Sequence, residues 1–452
     1  MPWEPHRFTE TTLAKMIIGL TKQFRMSLFT PADGILKTNL TWDQLQKSVW
    51  KAFGKEAIFG PNKDVKDIGI GNGVMSRICL ISPDWQAGLK EVPKNFIVKI
   101  CSQLPVVENK AIMEHSEVFN EGLIKQLEDH VKKNHNTEVH LYELLKRYDV
   151  TDIPTPEVYF TQEFTEDDPL NGYFIMEYIG DGTLYHLFDN VTPEDMAQVM
   201  RALAKLQAAA VKFTDEEKAH FQTHPYLALF ATLLNEQAAS GFVAMLRQFA
   251  GEQLKDKVDQ LEAALPEIAD VKLVEEMPKS LGMEPVLCHG DLWATNLIWK
   301  NGKSDVELKA VIDFQNAHLG CPSVDVVRVF SACLSAKDRR DHWESLLEKL
   351  YTYLEEEMAG HSMPYTLEML KTSYRLFFPL GAFLMLPMFG PTFQLVNSNT
   401  DVEYKAKTCT QTGNCDSLWQ KFKMVPKKNY GLSAKHASIE PEFLWHRENG
   451  KA

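Results

Sequence analysis

Val286-Leu-Cys-His-Gly-Asp-Leu-Trp-Ala-Thr-Asn-Leu-Ile-Trp299 sets apolar, strand-like arms on either side of a polar loop that carries His289, Asp291 and Asn296. Arms fixed in a sheet would hold three polar heads in one pocket. Downstream, Leu308-Lys-Ala-Val-Ile-Asp-Phe-Gln315 is an apolar run that ends on a carboxylate, Asp313. A His-Gly-Asp tripeptide alone is a common turn. Asn296 and the later strand-ending acid are what give this one a chemical reading.

Phosphoryl transfer from ATP needs a carboxylate beside the acceptor hydroxyl, oxygen ligands for Mg²⁺ and a cation on the phosphates. The step from Asp291 to Asn296 is the D-x-x-x-x-N spacing in which the Asp takes the hydroxyl proton and the Asn binds metal. Asp313 stands where D-F-G has its Asp, although Gln315 replaces the Gly.

H-G-D-L-W-x-x-N followed by I-D-F-Q resembles the choline-kinase-like, ecdysteroid-kinase-like family, a branch, in nematodes especially, of the aminoglycoside-phosphotransferase and choline-kinase superfamily. The resemblance runs from about residue 60 to about residue 390. It implies that Asp291 is the catalytic base, that Asn296 and Asp313 bind Mg²⁺, that His289 supports the loop by hydrogen bonding and that Trp293 lines the acceptor site. Gly320-Cys-Pro-Ser-Val-Asp-Val-Val-Arg328 resembles the family's G-x-P-x-x-D segment, in which Asp325 would brace the catalytic loop. Asp325 also reads as a first-turn helix acid favoured by the macrodipole, and both can hold.

The nucleotide side is expected upstream. Asp67-Ile-Gly-Ile-Gly-Asn-Gly-Val-Met-Ser-Arg-Ile78 is a glycine-dense hairpin whose N–H groups suit phosphates, though Gly-x-Gly-x-Gly is also a plain turn. The family's G-x-G-x-x-S loop implies Gly71, Gly73 and Ser76. Lys99 in Phe96-Ile-Val-Lys-Ile100 has the setting of the Lys in V-A-I-K, against the alternative of a solvated edge-strand Lys. Its helical Glu is either Glu121, on a polar face with Lys125 and Glu128, or Glu138, on a face with Leu141, Tyr142 and Leu145. A carboxylate on an apolar face needs a cation, which selects Glu138. The family's E-x-x-x-Y helix and P-x-P strand agree, and make residues 103–134 an inserted excursion. Gly172-Tyr-Phe-Ile-Met-Glu-Tyr-Ile-Gly180 resembles the hinge strand, where adenine would bond backbone atoms of Glu177 and Ile179.

The wider pattern fits. Thr41 caps a helix with Leu45 and Val49 on one stripe; β-rich runs cover 77–81, 96–100, 153–160 and 172–179; a helical stretch covers 108–148. Beyond Gly182 the chain reads as mainly helical to about Phe393. Sheet first and helices after implies an α+β, two-lobed protein-kinase-like fold, an N-lobe antiparallel sheet plus helix followed by a larger, mainly helical C-lobe. The expected division is a helical extension at 1–60, a nucleotide-binding N-lobe at 61–180, a catalytic and acceptor-binding C-lobe at 181–395 and a loosely ordered tail at 396–452.

The 452 residues carry a net charge of −13 and a pI near 5.6, which argues against a nucleic-acid or anionic-membrane binder. Leu376–Gly390 is too short to span a membrane, and Pro379 and Pro387 interrupt it, so a buried helix pair is expected there. Seven scattered cysteines without a C-x-x-C pair signal neither zinc nor disulfides. Without a leader-like start, a cytoplasmic protein is expected. The expected partner is a small hydroxyl-bearing substrate, a steroid, glycoside or amino alcohol; no oligomeric state is signalled. Two rival readings are a catalytically silent relative that binds nucleotide or a partner protein, and a hydrolase using Cys288 with His289. Completeness of Lys99, Asp291, Asn296 and Asp313 weighs against the first, and strand neighbours pointing to opposite faces against the second.

Overall fold

The computed structural model describes residues 27–69, 75–86, 91–108, 121–187, 189–221, parts of 241–265, 272–302 and 306–385. The chain divides into two compact units, Met1–Leu144 with Thr155–Asp181 and Leu145–Pro154 with Gly182–Ala452.

The first unit is built on a five-stranded antiparallel sheet of β1 (Asp64–Asp67), β2 (Ser76–Ser82), β3 (Phe96–Cys101), β4 (Val158–Gln162) and β5 (Tyr173–Glu177), in the order β1-β2-β3-β5-β4. β3 is central and buried along its whole length, as its unbroken apolar run around Lys99 requires. Helix α1 (Trp42–Phe53) begins at a capping box in which Thr41 and Gln44 satisfy each other's backbone N–H groups. Its Leu45 and Val49 join Phe59, Phe96, Val98 and Ile175 in one core, and Ser48 bonds Tyr173 of β5 at 2.7 Å. A short helix α2 (Leu104–Glu108) follows β3, and α3 (Glu121–Arg147) carries Glu138.

The strand expected over 153–160 starts only at Val158. Pro154 and Pro156 have no N–H for a ladder, and the Pro154 carbonyl instead accepts the Val311 N–H at 2.7 Å.

In the second unit, β6 (Thr183–Leu184) and a run of helices precede the site: α4 (Pro193–Ala209), α5 (Asp215–Ala219) and α6 (Lys272–Leu281). β7 (Val286–Cys288) pairs antiparallel with β10 (His318–Gly320), while β8 (Leu297–Asn301) and β9 (Val306–Val311) form a hairpin that β6 extends. Then come α7 (Ser323–Cys333), α8 (Ala336–Met358) and α9 (Leu367–Phe383). α8 packs along α4, and α7 against α9.

All eleven residues of α7 are buried. Helix α9 runs through Pro379 rather than ending there. The bond lost at the proline is offset by burial of Phe377, Leu380 and Phe383 on either side of it. Among the described residues no helix is long and apolar enough to cross a membrane. The architecture is the α+β class expected, an antiparallel sheet with a helix in the first unit and a larger, mainly helical second one.

Candidate active site

The short strand β7 delivers His289, Gly290 and Asp291 directly from a buried sheet edge. Gly290 has φ +83°, and a Cβ there would lie 2.1 Å from the Asn316 carbonyl oxygen. Only glycine combines that backbone with so close an approach. Gly290→Ala is therefore expected to cost about 2–3 kcal/mol, from the left-handed backbone and the displaced turn together; chemical denaturation measures it, and an unchanged midpoint would contradict this packing.

Two backbone donors of the loop converge on one carboxylate. The His289 N–H reaches Asp325 Oδ2 at 2.7 Å and the Gly290 N–H reaches Asp325 Oδ1 at 2.8 Å. Asp325 lies in the first turn of α7, so a wholly buried helix holds the main chain of the loop. Burial pushes the Asp325 carboxyl up to about 6, against the two N–H bonds that favour its charge.

His289 is fully buried. Its Nε2 lies 2.9 Å from the Ile312 carbonyl, which can only accept, so the proton sits on Nε2; Nδ1 then accepts the Asp291 N–H at 3.2 Å. With both nitrogens engaged in this way, His289 braces the loop and links it to Ile312, between the end of β9 and Asp313.

Asp291 is ion-paired through Oδ1 with Arg328 Nη2, and its side chain keeps 15% exposure. Burial pushes its carboxyl up to about 6; Arg328 opposes that rise and the nearby charge of Asp313 adds to it. Asn296 closes a short 3-10 turn, Ala294–Asn296, and its Nδ2 donates to the Asp291 carbonyl at 2.8 Å. That bond fixes the orientation of the amide, with its nitrogen turned to the loop main chain.

Asp313 was expected at the end of a strand. It lies instead two residues past β9 with φ 70° and ψ 61°, at the N-cap of the turn Phe314–Asn316. A left-handed acid at this point turns the chain sharply out of the sheet. The Asp313 carboxylate and the Asn296 amide oxygen are hard donors that suit Mg²⁺. A cation there would also relieve the repulsion that Asp313 exerts on Asp291. Trp293 is half-buried, immediately before the 3-10 turn.

In the first unit, Lys99 Nζ lies 2.6 Å from Glu138 Oε2, with side chains 9% and 1% exposed. Lys99 pairs in register with Phe174 of β5, and its ammonium lies 5.8 Å from that ring's centroid. Ser76 opens β2 opposite Cys101. Gly71 and Gly73 lie outside the described residues. At the end of β5 the Glu177 N–H is given to the Glu157 carbonyl at 2.8 Å, so an adenine reading this residue's backbone would use its carbonyl. Ile179 lies two residues beyond the strand.

Cys288 is fully buried, its thiol directed at the Val286 and Cys321 carbonyls, and burial pushes its ionisation well above the usual range. A nucleophile needs the thiolate, so the hydrolase reading fails on this environment. Arg328 is the site residue that motif reading passed over. Its signal was an arginine in the otherwise apolar run Val326-Val-Arg-Val-Phe330, since a buried guanidinium requires a partner.

Among curated proteins, an uncharacterized kinase-like protein of Caenorhabditis elegans is 24% identical over 242 residues, 53% of this chain and 61% of that protein. The uncharacterized oxidoreductase dhs-27 of Caenorhabditis elegans is 25% identical over 294 residues, 62% of this chain and 34% of that protein. The chain thus spans less than two thirds of the length of either curated relative. Among solved structures, aminoglycoside 2'-phosphotransferase-IIIa aligns with a TM-score of 0.42 at 13% identity, covering 83% of this chain and 97% of that one. Plasmodium vivax ethanolamine kinase aligns at 0.41 and 14%, covering 93% and 99%. Choline kinase from Cryptosporidium parvum aligns at 0.39 and 15%, covering 88% and 97%. A family model described as uncharacterized oxidoreductase dhs-27 (DUF1679) matches residues 28–416, and the chain belongs to that family.

Proposed function

We propose that this chain is an ATP- and Mg²⁺-dependent phosphotransferase that moves the γ-phosphate to a hydroxyl of a small molecule of the steroid, glycoside or amino alcohol class. The observation that carries the reading is the Asp291 loop. A carboxylate is held on a backbone braced at two N–H groups by Asp325 and at a third by His289, with Asn296 and Asp313 as hard oxygen donors alongside. The kinase-like name of the first curated relative supports it.

In this mechanism Asp291 orients the acceptor hydroxyl and accepts its proton while the hydroxyl oxygen bonds to the γ-phosphorus. The bond to the β–γ bridging oxygen breaks, and ADP leaves. Mg²⁺, when bound through Asn296 and Asp313, supplies charge neutralisation on the phosphates. Lys99, held by Glu138, would contact the α- and β-phosphates, Gly71, Gly73 and Ser76 would cover them, and adenine would meet the Glu177 carbonyl and Ile179. Trp293 would line the acceptor side.

The oxidoreductase in the family's description does not suit this sheet. Strand pairings among the described residues are antiparallel, whereas dinucleotide binding of the common kind uses parallel βαβ units. The direct test incubates the protein with Mg·ATP and a panel of hydroxylated metabolites and reads the mass gain of one phosphate. ATP binding with no product from any member would favour the silent nucleotide-binding protein instead.

A pH dependence follows. With its carboxyl near 6, Asp291 loses its charge as pH falls through that value, and a protonated base cannot accept the hydroxyl proton. kcat/KM for Mg·ATP, which reports the free enzyme, is expected to fall about tenfold per unit below pH 6. An acid limb beginning near 4, the ordinary carboxylate range, would exclude this assignment.

A further inference from the structure

Helix α7 sends two charged side chains to the catalytic loop, three residues apart. Asp325 takes the loop's backbone N–H groups. Arg328 takes a side chain, the Asp291 carboxylate, at Oδ1. The bonds that fix the loop main chain are those from His289 N–H and Gly290 N–H to Asp325, from Asp291 N–H to His289 Nδ1 and from Asn296 Nδ2 to the Asp291 carbonyl. These four hold the main chain; on the Asp291 carboxylate itself Arg328 is the stronger partner and the Asn296 amide the weaker.

Burying a guanidinium is costly, and an apolar residue would pack as well on a helix whose eleven residues are all buried. Arg328 itself is 7% exposed. Lysine would supply the same charge as a mobile point, whereas arginine presents a rigid planar fork on a side chain anchored one turn from Asp325.

We infer that Arg328 is a positioning residue for the phosphotransfer proposed above, fixing the Asp291 carboxylate through Oδ1 so that the acceptor hydroxyl meets the other oxygen. The inference rests on that reading for its chemistry, but not for its geometry. Arg328 touches neither acceptor nor phosphate in this scheme and acts through Asp291.

The test uses Arg328→Lys and Arg328→Gln in the full chain, in two arms. Crystal structures read the geometry without any turnover. The Asp291 carboxylate is expected to leave its wild-type torsion in R328Q and to move less in R328K; an unmoved carboxylate in both overturns the proposal. Kinetics of ATP consumption with Mg²⁺, with water or the acceptor found in the panel, form the second arm. R328Q is expected to lose about 10²-fold in kcat with KM for ATP unchanged, and R328K to recover part of that loss. In an Asp291→Asn background R328Q should cost nothing further, because the two residues act as a unit. A full multiplicative loss in the double variant overturns the positioning role.

Should R328Q fail to fold, R328K decides alone, since wild-type kcat together with a wild-type carboxylate torsion refutes it. A wild type that binds ATP but turns none over refutes the phosphotransfer reading and leaves the crystallographic arm to judge Arg328.

Discussion

Asp291→Ala is expected to lower γ-phosphate transfer by about 10²–10⁴-fold while ATP binding stays within about twofold of wild type. The loss follows from removal of the carboxylate that the loop presents beside Asn296 and Asp313, the proposed metal donors. ATP binding is expected to survive because Lys99 and Glu138 belong to a different compact unit of the chain. Asp291→Asn is the companion variant. It keeps the side chain's shape and one acceptor oxygen for Arg328 but has no basicity, so a comparable loss in both variants isolates proton acceptance from packing. Single-turnover transfer from labelled ATP gives the rate, and calorimetry gives the affinity. Equal transfer by wild type and Asp291→Ala, with ATP bound, would remove Asp291 from the mechanism.

The loop was legible in the sequence because its chemistry is local. His289, Asp291 and Asn296 fall within eight residues between two strand-forming arms, and strand geometry carries them to one place. The α+β class was legible for a similar reason, since period-two runs precede the helical ones. What escaped depended on partners remote in the chain. Arg328 lies 37 residues after Asp291, and nothing in its helix names the group it will meet. Asp325 had two readings until the His289 and Gly290 N–H groups were found on its two oxygens. Local periodicity likewise carried the strand through Asp313, because the pattern of apolar residues says nothing of a left-handed φ. The prolines at 154 and 156 fall within a run whose β-rich pattern reads as a strand, although their missing N–H groups exclude a ladder.

Lys99→Met is expected to destabilise the first unit by about 3–5 kcal/mol, because it strands the Glu138 carboxylate on a buried helix face without its cation. Glu138 is 1% exposed, so water cannot take over the role. The same physics separates Glu138 from Glu121 in the sequence, since an acid among Leu141, Tyr142 and Leu145 implies a buried cation. Lys99→Met combined with Glu138→Leu removes both charges and places apolar groups of similar volume between β3 and α3. Most of the lost stability should return in that double variant. Nucleotide binding should not return, since neither replacement offers a cation to the phosphates. Denaturant unfolding of the single and double variants gives the coupling, and ATP titration gives the functional cost. A double variant that recovered both stability and affinity would make Lys99–Glu138 a packing device and move phosphate recognition elsewhere. Stability regained with affinity still lost would mean that this buried pair is kept for the ligand rather than for the fold.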